Sequence, residues 1–288
     1  YCFLYIKTVQ SECRTKFALV SAGLEPVYKK NKNMNYYFLF CQDTLLLTRD
    51  NQVPTGEECP IELASWQHLH HLPNLNEHGC YTARLDSPIV GEEWNMVPLR
   101  TSFDLLPTEL YNMAGKGREI LYWDQNTKYC GVCGAPMQLH TDISKRCTNC
   151  GKEVWPALAT AIIVAITRNN GEEILLVQSN KFKKDYLGLV AGFVETGETL
   201  EECLQREVWE ETHLHVTNIR YFASQPWPYP SGLMVGFTAD YADGELKLQR
   251  SELNKGGWYK RSNLPAIPGK VSLARQLIDY WYYNELKM

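Results

Sequence analysis

The sequence lacks any apolar run long enough to cross a membrane. Its longest near-continuous apolar stretch, residues 157–166, falls well short of the ~20 residues that a spanning helix requires. Residues 1–5 contain no charged segment of the kind that opens a signal peptide. We therefore expect a cytoplasmic protein without a membrane partner.

The sequence also lacks an excess of basic charge. Its 29 Lys and Arg residues are outnumbered by 33 Asp and Glu residues, which gives a formal net charge of −4. A protein that holds nucleic acid through a broad basic surface is therefore not expected, although a pocket could still bind a nucleic-acid end. The length of 288 residues suggests two domains with a small module between them.

The ten cysteines do not show the spacing of a disulfide framework. Six are scattered singly, whereas four form two C-x-x-C pairs separated by thirteen residues. In an intracellular chain this spacing predicts a metal site. Two such pairs supply four thiolates to a tetrahedral Zn²⁺, and four protein ligands leave no open position, so one structural zinc ion is expected. The predicted ligands are Cys130, Cys133, Cys147 and Cys150.

Few secondary-structure signals precede the cysteine pairs. Tyr36–Cys41 and Thr44–Thr48 are predicted strands joined by a turn. Leu105–Leu121 is a predicted helix, interrupted near Gly115 and Gly117 because glycine disfavours helix interiors. Three closely spaced histidines have no cysteine or carboxylate partner at matching spacing, so a surface or interface cluster is favoured over a metal site. These histidines are His68, His70 and His71.

The pattern after the cysteine pairs is that of alternating strands and helices. Ala161–Ile166 is a predicted buried strand, and Asn169–Gly171 is a predicted hairpin turn that leads to a strand over Ile174–Val177. A final helix is predicted from about Val271. Its aromatic end, residues 280–283, is expected to pack against the core or a second subunit.

A glutamate-rich segment carries the densest chemical signal. Thr199 and Glu202 form a capping box, which predicts a helix start, and an apolar residue recurs every four positions beyond it. Glu207, Glu210 and Glu211 then share one helix face, where like charges repel. Solvent or bound divalent cations could offset this repulsion, and carboxylates suit hard cations such as Mg²⁺ or Mn²⁺.

The pattern Gly-x5-Glu-x7-Arg-Glu-Val-x-Glu-Glu-x-x-Leu over residues 192–214 closely resembles the Nudix box. That family hydrolyses nucleoside diphosphates linked to another group. The resemblance implies that Glu207, Glu211 and the carbonyl of Ala191 bind Mg²⁺ or Mn²⁺, with Glu210 nearby, and that Arg206 orients the glutamates. Glu211 is expected to be the most damaging single loss, either as a metal ligand or as a base.

One position departs from the box. His213 stands where the family usually has glycine, just past the helix. Glycine adopts a left-handed backbone at low cost, whereas histidine does so with strain. A small loss of stability is expected, without loss of activity.

Residues 225–232, the proline–tryptophan loop, alternate prolines with aromatic residues, which restricts the backbone. Taken alone, the pattern has two equally good interpretations. The loop could form one side of a pocket for a flat ring, or it could be a tight connection packed on the core. The segment from Ser224 resembles the S-Q-P-W-P-F-P-x-S array of the Nudix branch of NADH pyrophosphatases and NAD-capped RNA hydrolases. Tyr229 replaces the phenylalanine of that array, and Gly232 replaces its last serine, which puts one substrate hydrogen bond in doubt.

Members of that branch carry a four-cysteine zinc module between a divergent N-terminal domain and the Nudix domain. The resemblance therefore implies an α/β (α+β) chain of three parts. Residues 1–128 would form a mostly-β, Nudix-like N-terminal domain, and residues 129–152 a central zinc ribbon. Residues 153–288 would form the catalytic C-terminal Nudix domain, an α/β/α sandwich.

The same resemblance implies the substrate pocket. Glu252 matches a further metal-binding glutamate. Trp155 and Phe193 are expected to sandwich the nicotinamide ring, across a dimer interface in a homodimer. The full predicted substrate-binding set is Arg100, Trp155, Phe193, Gln225, Pro226, Trp227, Pro228, Tyr229, Pro230, Ser231, Gly232 and Ala274.

The expected reaction is hydrolysis of the diphosphate of NAD(H) to nicotinamide mononucleotide and AMP. On RNA with a 5′ NAD cap it would leave a 5′-monophosphate end. Two alternatives stay open: a Nudix hydrolase of ADP-ribose or a dinucleoside polyphosphate, and a non-catalytic NAD- or nucleic-acid-binding module. Basic residues that could support RNA binding near the pocket are Lys181, Lys183, Lys184, Lys255, Lys260, Arg261 and Lys270.

Overall fold

The computed structural model describes residues 34–180 and 185–283. Its N-terminal part is a six-stranded sheet with two helices. The strands are β1 (Asn35–Cys41), β2 (Thr44–Thr48), β3 (Thr55–Gly56), β4 (His70–Leu75), β5 (His78–Arg84) and β6 (Trp94–Pro98). The helices are α1 (Leu99–Ser102) and α2 (Thr108–Asn126).

The first hairpin forms where the sequence predicts it. β1 and β2 are antiparallel, with Phe40 opposite Leu45. Gln42 takes a left-handed backbone in the turn, with φ of 51°. Both strands alternate apolar side chains toward two cores, so both faces of this sheet are covered.

Helix α2 differs from its prediction. It starts after Pro107 and runs without interruption through Gly115 and Gly117. Both glycines are buried, and each lies close to a residue of another element. A Cβ at Gly115 would lie 3.1 Å from Cγ of Pro228, and one at Gly117 would lie 2.9 Å from the hydroxyl of Thr82. The glycines therefore serve tertiary packing, which local helix propensity does not report.

A small three-stranded sheet follows α2 and contains the cysteine pairs. Its strands are β7 (Met137–Thr141), β8 (Ser144–Cys147) and β9 (Glu153–Val154). The core of this module is small, with Met137 packed beside two of the cysteines. Such a module depends on a metal or on docking for its stability.

The C-terminal part is a second six-stranded sheet. Its strands are β10 (Ala159–Arg168), β11 (Glu173–Ser179), β12 (Val190–Phe193), β13 (His215–Pro226), β14 (Gly232–Asp243) and β15 (Leu253–Lys260). Its helices are α3 (Leu200–Thr212) and α4 (Leu273–Tyr283), and a 3-10 turn spans Arg261–Asn263. The predicted strands, the turn at 169–171 and the final helix are all confirmed.

Helices α3 and α4 cover opposite faces of this second sheet. Leu204 and Val208 of α3 pack with Ile162 and Val164, whereas Leu277 of α4 packs in the other core. The predicted α/β/α sandwich is therefore confirmed. At the end of α4, Trp281 is buried and its indole N–H donates to the carbonyl of Gly171 at 2.8 Å.

The two large sheets share one topology, although the sequence shows no repeat. The strand order is β4-β5-β1-β2-β6 in the first sheet and β13-β14-β10-β11-β15 in the second. In each, the central pair is parallel, and a short strand, β3 or β12, joins the middle strand. Helix α3 has no counterpart in the first sheet, where the irregular segment 57–69 covers one face instead.

The end of α2 joins the first sheet to the cysteine module. The carboxylate of Asp124 lies 2.8 Å from Nζ of Lys145 on β8 and 3.7 Å from Nε2 of His70 on β4. Burial acts to raise the pKa of Asp124, but hydrogen bonds from His70 and Lys145 outweigh it and lower this pKa to about 2. His71 is bonded to Asp142 of the cysteine module at 3.1 Å, so two of the three histidines predicted as a surface or interface cluster lie at this contact.

No helix in the described part of the chain is long and apolar enough to span a bilayer. The candidate RNA-contacting residues Lys181, Lys183 and Lys184 lie outside the described residues.

Lys145→Met should loosen the docking of the cysteine module. Lys145 is buried, and Nζ also donates to the carbonyls of Asp124 at 2.8 Å and Thr127 at 3.1 Å. Methionine keeps the unbranched chain but removes these charged hydrogen bonds, at a cost of about 1–3 kcal/mol. We expect a lower melting temperature in thermal unfolding, with little change for the exposed control Lys128→Met. Equal melting temperatures for the two variants would contradict the docking role.

Candidate active site

Helix α3 begins and ends with side chains that the sequence identifies. Thr199 accepts a hydrogen bond from the backbone N–H of Glu202, and the carboxylate of Glu202 accepts one from the N–H of Thr199, so the capping box is present. At the other end His213 adopts a left-handed backbone, with φ of 58°, as predicted. Its Nδ1 lies 3.1 Å from the carbonyl of Lys247.

Arg206 connects three glutamates. Its guanidinium donates to both carboxylate oxygens of Glu198, at 2.5 and 3.0 Å, to Glu207 at 2.8 Å and to Glu210 at 3.2 Å. A fifth bond reaches the carbonyl of Phe193 at 3.0 Å. The hydrogen bonds from Arg206 lower the pKa of Glu198 to about 2. Arg206, which the resemblance implied would orient the glutamates, thus contacts three of them at once.

Glu198 is a site residue that the sequence interpretation missed. It occupies the first glutamate of the Nudix-like pattern, ahead of the helix, and was given no role. The structure uses it as the bidentate partner of Arg206. The signal was its fixed place in the pattern, eight residues before Arg206.

Glu207 lies against the backbone of β12. A Cβ on Gly192 would overlap the Glu207 carboxyl group, so only glycine allows this approach. Burial raises the pKa of Glu207, Arg206 acts to lower it, and the negative charges of Glu210 and Glu252 add to the increase. Ala191, the predicted carbonyl ligand, precedes Gly192 and pairs with Ile163 of β10.

The other two predicted ligands lie at the end of α3. Glu211 is 6% exposed, and its carbonyl accepts a hydrogen bond from the N–H of Gln249 at 2.9 Å. Glu252 is exposed and follows Gln249 in the same segment, where its N–H donates to the Gln249 carbonyl at 3.0 Å. Residues 244–252 therefore fold against the helix end and carry Glu252 into the electrostatic environment of Glu207.

The carboxylates are near one another but not gathered around one point. Within residues 34–180 and 185–283, the four cysteines are the only group of three or more Cys, His, Asp or Glu whose ligand atoms all lie within 4.8 Å. Glu207 instead points to Arg206. A hard cation suits the donor set of carboxylates and a carbonyl, and its charge would relieve the repulsion that Glu210 and Glu252 exert on Glu207.

The proline–tryptophan loop connects β13 to β14 and contains a cis peptide bond between Tyr229 and Pro230. Gln225 does not extend freely into a pocket. Its amide donates to the carbonyl of Val271 and accepts from the N–H of Leu273, both at 2.7 Å, and so fixes the start of α4. The Ser231 hydroxyl donates to the carbonyl of Ala157 at 3.2 Å.

Gly232, which replaces a serine of the resembled array, is buried at the start of β14. A Cβ there would lie 3.0 Å from the carbonyl oxygen of Ala159, which pairs with Gly232 in the sheet. Ala274 is 9% exposed and belongs to the core beneath α4. Both residues contribute to packing around the loop.

Three aromatic side chains of the predicted pocket differ in exposure. Trp155 is 57% exposed and Phe193 is 65% exposed, whereas Trp227 is half-buried. Among the described residues, no ring contact joins Trp155 to Phe193. Arg100 meets the loop: its Cζ lies 5.0 Å from the ring centroid of Trp227 and 4.5 Å from that of Tyr229.

The four predicted zinc ligands come together. Sγ of Cys130 lies 3.6 Å from Sγ of Cys150, and Sγ of Cys133 lies 3.4 Å from Sγ of Cys147. A tetrahedral Zn²⁺ with bonds of ~2.3 Å requires sulfurs roughly 3.8 Å apart, so the set fits this ion. A left-handed glycine follows each pair, with φ of 74° at 134 and 73° at 151.

Backbone N–H groups favour thiolates in this cluster. The N–H of Val132 points to Sγ of Cys130, and the N–H of Asn149 points to Sγ of Cys147, each at 3.4 Å. A backbone hydrogen bond from Ala135, with contributions from neighbouring groups, lowers the pKa of Cys133 to about 6. Deprotonated sulfur is the form that binds zinc.

Three family models match the chain in sequence order. A model described as "NADH pyrophosphatase-like rudimentary NUDIX domain" matches residues 34–123. One described as "NADH pyrophosphatase zinc ribbon domain" matches residues 125–154, and one described as "NUDIX domain" matches residues 157–280. The predicted order of a divergent N-terminal domain, a zinc ribbon and a C-terminal Nudix domain is confirmed.

Two curated proteins that are similar to this chain share one name. A Klebsiella pneumoniae protein, "NAD-capped RNA hydrolase NudC", is 37% identical over 229 residues, which cover 79% of this chain and 86% of that protein. A Deinococcus radiodurans protein of the same name is 35% identical over 249 residues, or 84% and 86% of the two chains. A solved Nudix hydrolase from Nitrosomonas europaea is 23% identical, with a TM-score of 0.42, and covers 54% of this chain and 90% of its own.

Cys147→Ser should release the zinc ion and destabilise the chain. Cys147 is buried, and its Sγ accepts two backbone hydrogen bonds beside Cys133. Because metal binding contributes directly to the folding of such modules, we expect less than one zinc per chain by elemental analysis and a lower melting temperature. The control is Cys59→Ser, a single cysteine outside the cluster. Full zinc content in Cys147→Ser would contradict the ligand assignment.

Proposed function

Because this chain belongs to the Nudix hydrolase family, we propose that it hydrolyses the diphosphate of NAD(H) to nicotinamide mononucleotide and AMP. We propose further that it removes 5′ NAD caps from RNA and leaves 5′-monophosphate ends. One water adds across the P–O–P bridge: its oxygen bonds to one phosphorus, and the bridging oxygen leaves with the other phosphate. The names of the curated relatives and of two family models support this substrate class.

The observation that carries the chemistry is the Arg206 network on α3. One guanidinium holds Glu198, Glu207 and Glu210, which keeps several carboxylates on one side of the helix despite their repulsion. A solvated acidic surface has no need of this arrangement. Glu211, almost fully buried beside the network, also argues against an acidic face that merely contacts solvent.

Glu207, Glu211, Glu252 and the carbonyl of Ala191 are the proposed ligands of a divalent cation, Mg²⁺ or Mn²⁺. When bound, such a cation neutralises diphosphate charge and lowers the pKa of a coordinated water. Arg206 orients Glu207, and the Gly192 backbone limits how far that carboxylate can move. Glu211 is the proposed essential carboxylate, as a ligand or as the base that takes the proton of the attacking water.

The proposed pocket for the nicotinamide half is formed by Trp227 of the proline–tryptophan loop and by the exposed rings of Trp155 and Phe193. Aromatic rings of this size stack well on a flat heterocycle. In a single chain Trp155 and Phe193 are exposed to solvent, which supports a homodimer in which a second copy completes the pocket. The exposed tyrosines Tyr280, Tyr282 and Tyr283 add apolar surface suited to such an interface.

The proposed zinc role is structural, because four thiolates complete a tetrahedral shell. The described cysteines form no disulfide, which supports a reducing compartment such as the cytoplasm.

Product analysis tests the proposed reaction. The protein is incubated with NADH, ADP-ribose and a 5′-NAD-RNA, each with Mn²⁺ and with EDTA, and the products are separated by chromatography. We expect nicotinamide mononucleotide from NADH and from the RNA only with Mn²⁺. The matched variant Glu211→Gln is nearly isosteric, and it should fold and bind zinc but lose activity by roughly 100-fold or more.

Each result has a distinct meaning. Cleavage of ADP-ribose alone would keep the Nudix chemistry and exclude the nicotinamide substrate. Cleavage of no substrate would favour a binding module over an enzyme. Near-normal turnover by Glu211→Gln would contradict the proposed role of that carboxylate.

Gly192→Ala tests the position of Glu207. The added Cβ overlaps the Glu207 carboxyl group, which must leave its place beside Arg206. A displacement of about 1 Å in a catalytic group costs about 100-fold in rate, so we expect turnover of NADH to fall by that order while the melting temperature changes little. Gly269→Ala, with open space around its Cβ, is the control. Equal turnover in the two variants would contradict this positioning.

A further inference from the structure

One face of α2 contacts the proline–tryptophan loop at three successive helical positions. Tyr111, Gly115 and Glu119 are spaced four residues apart, so they lie in a row along the helix. Tyr111 meets Tyr229, Gly115 meets Pro228, and Glu119 meets Gly232. We call these three helix residues the α2 row. They belong to the N-terminal domain, which contains none of the proposed metal ligands.

The hydroxyl groups of Tyr111 and Tyr229 form the best-defined contact of the row. Their oxygens lie 2.8 Å apart, with one hydroxyl donating to the other. Tyr111 is buried and Tyr229 half-buried, and burial raises the pKa of both. Both hydroxyls therefore stay neutral, and Arg100 is a second neighbour of Tyr229.

The other two contacts fix the flanks of the same turn. The carboxylate of Glu119 accepts a hydrogen bond from the N–H of Gly232 at 3.3 Å, where the loop enters β14. Pro228 packs against Gly115 in the space that a side chain at that position would occupy. The turn is closed by a backbone hydrogen bond, in which the backbone N–H of Trp227 donates to the carbonyl of Gly232 at 2.8 Å. The α2 row thus holds the loop at three points around Trp227, and Arg100 of the same domain adds its contacts with the rings of Trp227 and Tyr229.

We propose that the α2 row positions Trp227 for the nicotinamide half of the substrate, so that the N-terminal domain sets substrate affinity without touching the reacting phosphates. This inference rests on the proposed function. The residues of the α2 row are positioning residues. They act through the loop, and the contacts described above do not include α3 or its glutamates. Their loss should raise the KM for NADH more than it lowers kcat, as expected when binding common to ground and transition states is removed.

The hydroxyl pair allows a double-mutant cycle. Tyr111→Phe and Tyr229→Phe each break the hydrogen bond between the two hydroxyls, whereas the double variant removes both hydroxyls and restores an apolar contact. We expect each single variant to raise the KM for NADH by about five- to tenfold with kcat within about twofold, and the double variant to return toward wild type. Tyr37→Phe is the matched control, because Tyr37 is also a buried tyrosine with a hydrogen-bonded hydroxyl, which donates to the carbonyl of Glu57 in the N-terminal domain but away from the loop.

Gly115→Ala separates the loop from overall stability. Alanine favours a helix over glycine, so the melting temperature should hold or rise. The new Cβ, 3.1 Å from Cγ of Pro228, pushes the loop, and the KM for NADH should rise.

The KM and kcat of all five variants are measured with NADH and Mn²⁺, beside wild type. If wild type hydrolyses NADH and the single variants and Gly115→Ala keep its KM, the inference is overturned and the proposed function stands. An equal increase in KM for Tyr37→Phe and Tyr111→Phe would show that general destabilisation causes the increase. That result would also overturn the inference. If wild type does not hydrolyse NADH, the proposed function fails, and the inference fails with it.

Discussion

The mutual repulsion of carboxylates is the constraint around which the C-terminal domain is built. Three glutamates on one helix face destabilise an isolated helix, and a fourth from the preceding loop adds to the negative charge. The guanidinium of Arg206 offsets this repulsion because its planar fork can bond several carboxylates at once. The capping box, the apolar stripe toward Ile162 and the missing side chain at Gly192 then fix where the cluster lies against the sheet.

The N-terminal domain has the same strand topology without this constraint. Its sheet keeps the strand order and the parallel central pair, but the segment between β3 and β4 forms no helix, so its glutamates Glu57, Glu58 and Glu62 are not aligned on one helix face. Apolar residues such as Ile61 and Leu63 cover the corresponding sheet face. The domain therefore retains the scaffold of a Nudix domain while its contacts are directed to the loop and to the zinc module.

Local patterns predicted much of this structure. The first hairpin, the Asn-Asn-Gly turn and the capping box all follow from residue types whose backbone preferences are strong. The left-handed backbone of His213 follows instead from its place in the Nudix-like pattern, where glycine is usual. The zinc ligands follow from spacing alone, and the Nudix-like pattern identified the glutamates and Arg206.

What the sequence could not predict depends on contacts between distant residues. The continuity of α2 through Gly115 and Gly117 arises because Pro228 and Thr82 occupy the space where side chains would be. The engagement of Gln225 with the start of α4 is visible only after folding, whereas the pairing of Glu198 with Arg206 is indicated in the sequence only by its place in the Nudix-like pattern. The shared topology of the two sheets leaves no internal repeat in the sequence, because strand order places few demands on side-chain identity.

Helix α2 has a consequence for how the chain divides into modules. Its 19 residues span roughly 28 Å, at 1.5 Å per residue. One end is bonded to the zinc ribbon through Asp124 and Lys145, and its first half supports the proline–tryptophan loop through Tyr111 and Gly115. The boundary between the first two family models, at residues 123–125, thus falls inside a helix that connects the parts of the chain. In evolution, as in protein engineering, exchange of the N-terminal domain or of the C-terminal domain for a homologous one would require new contacts along this helix.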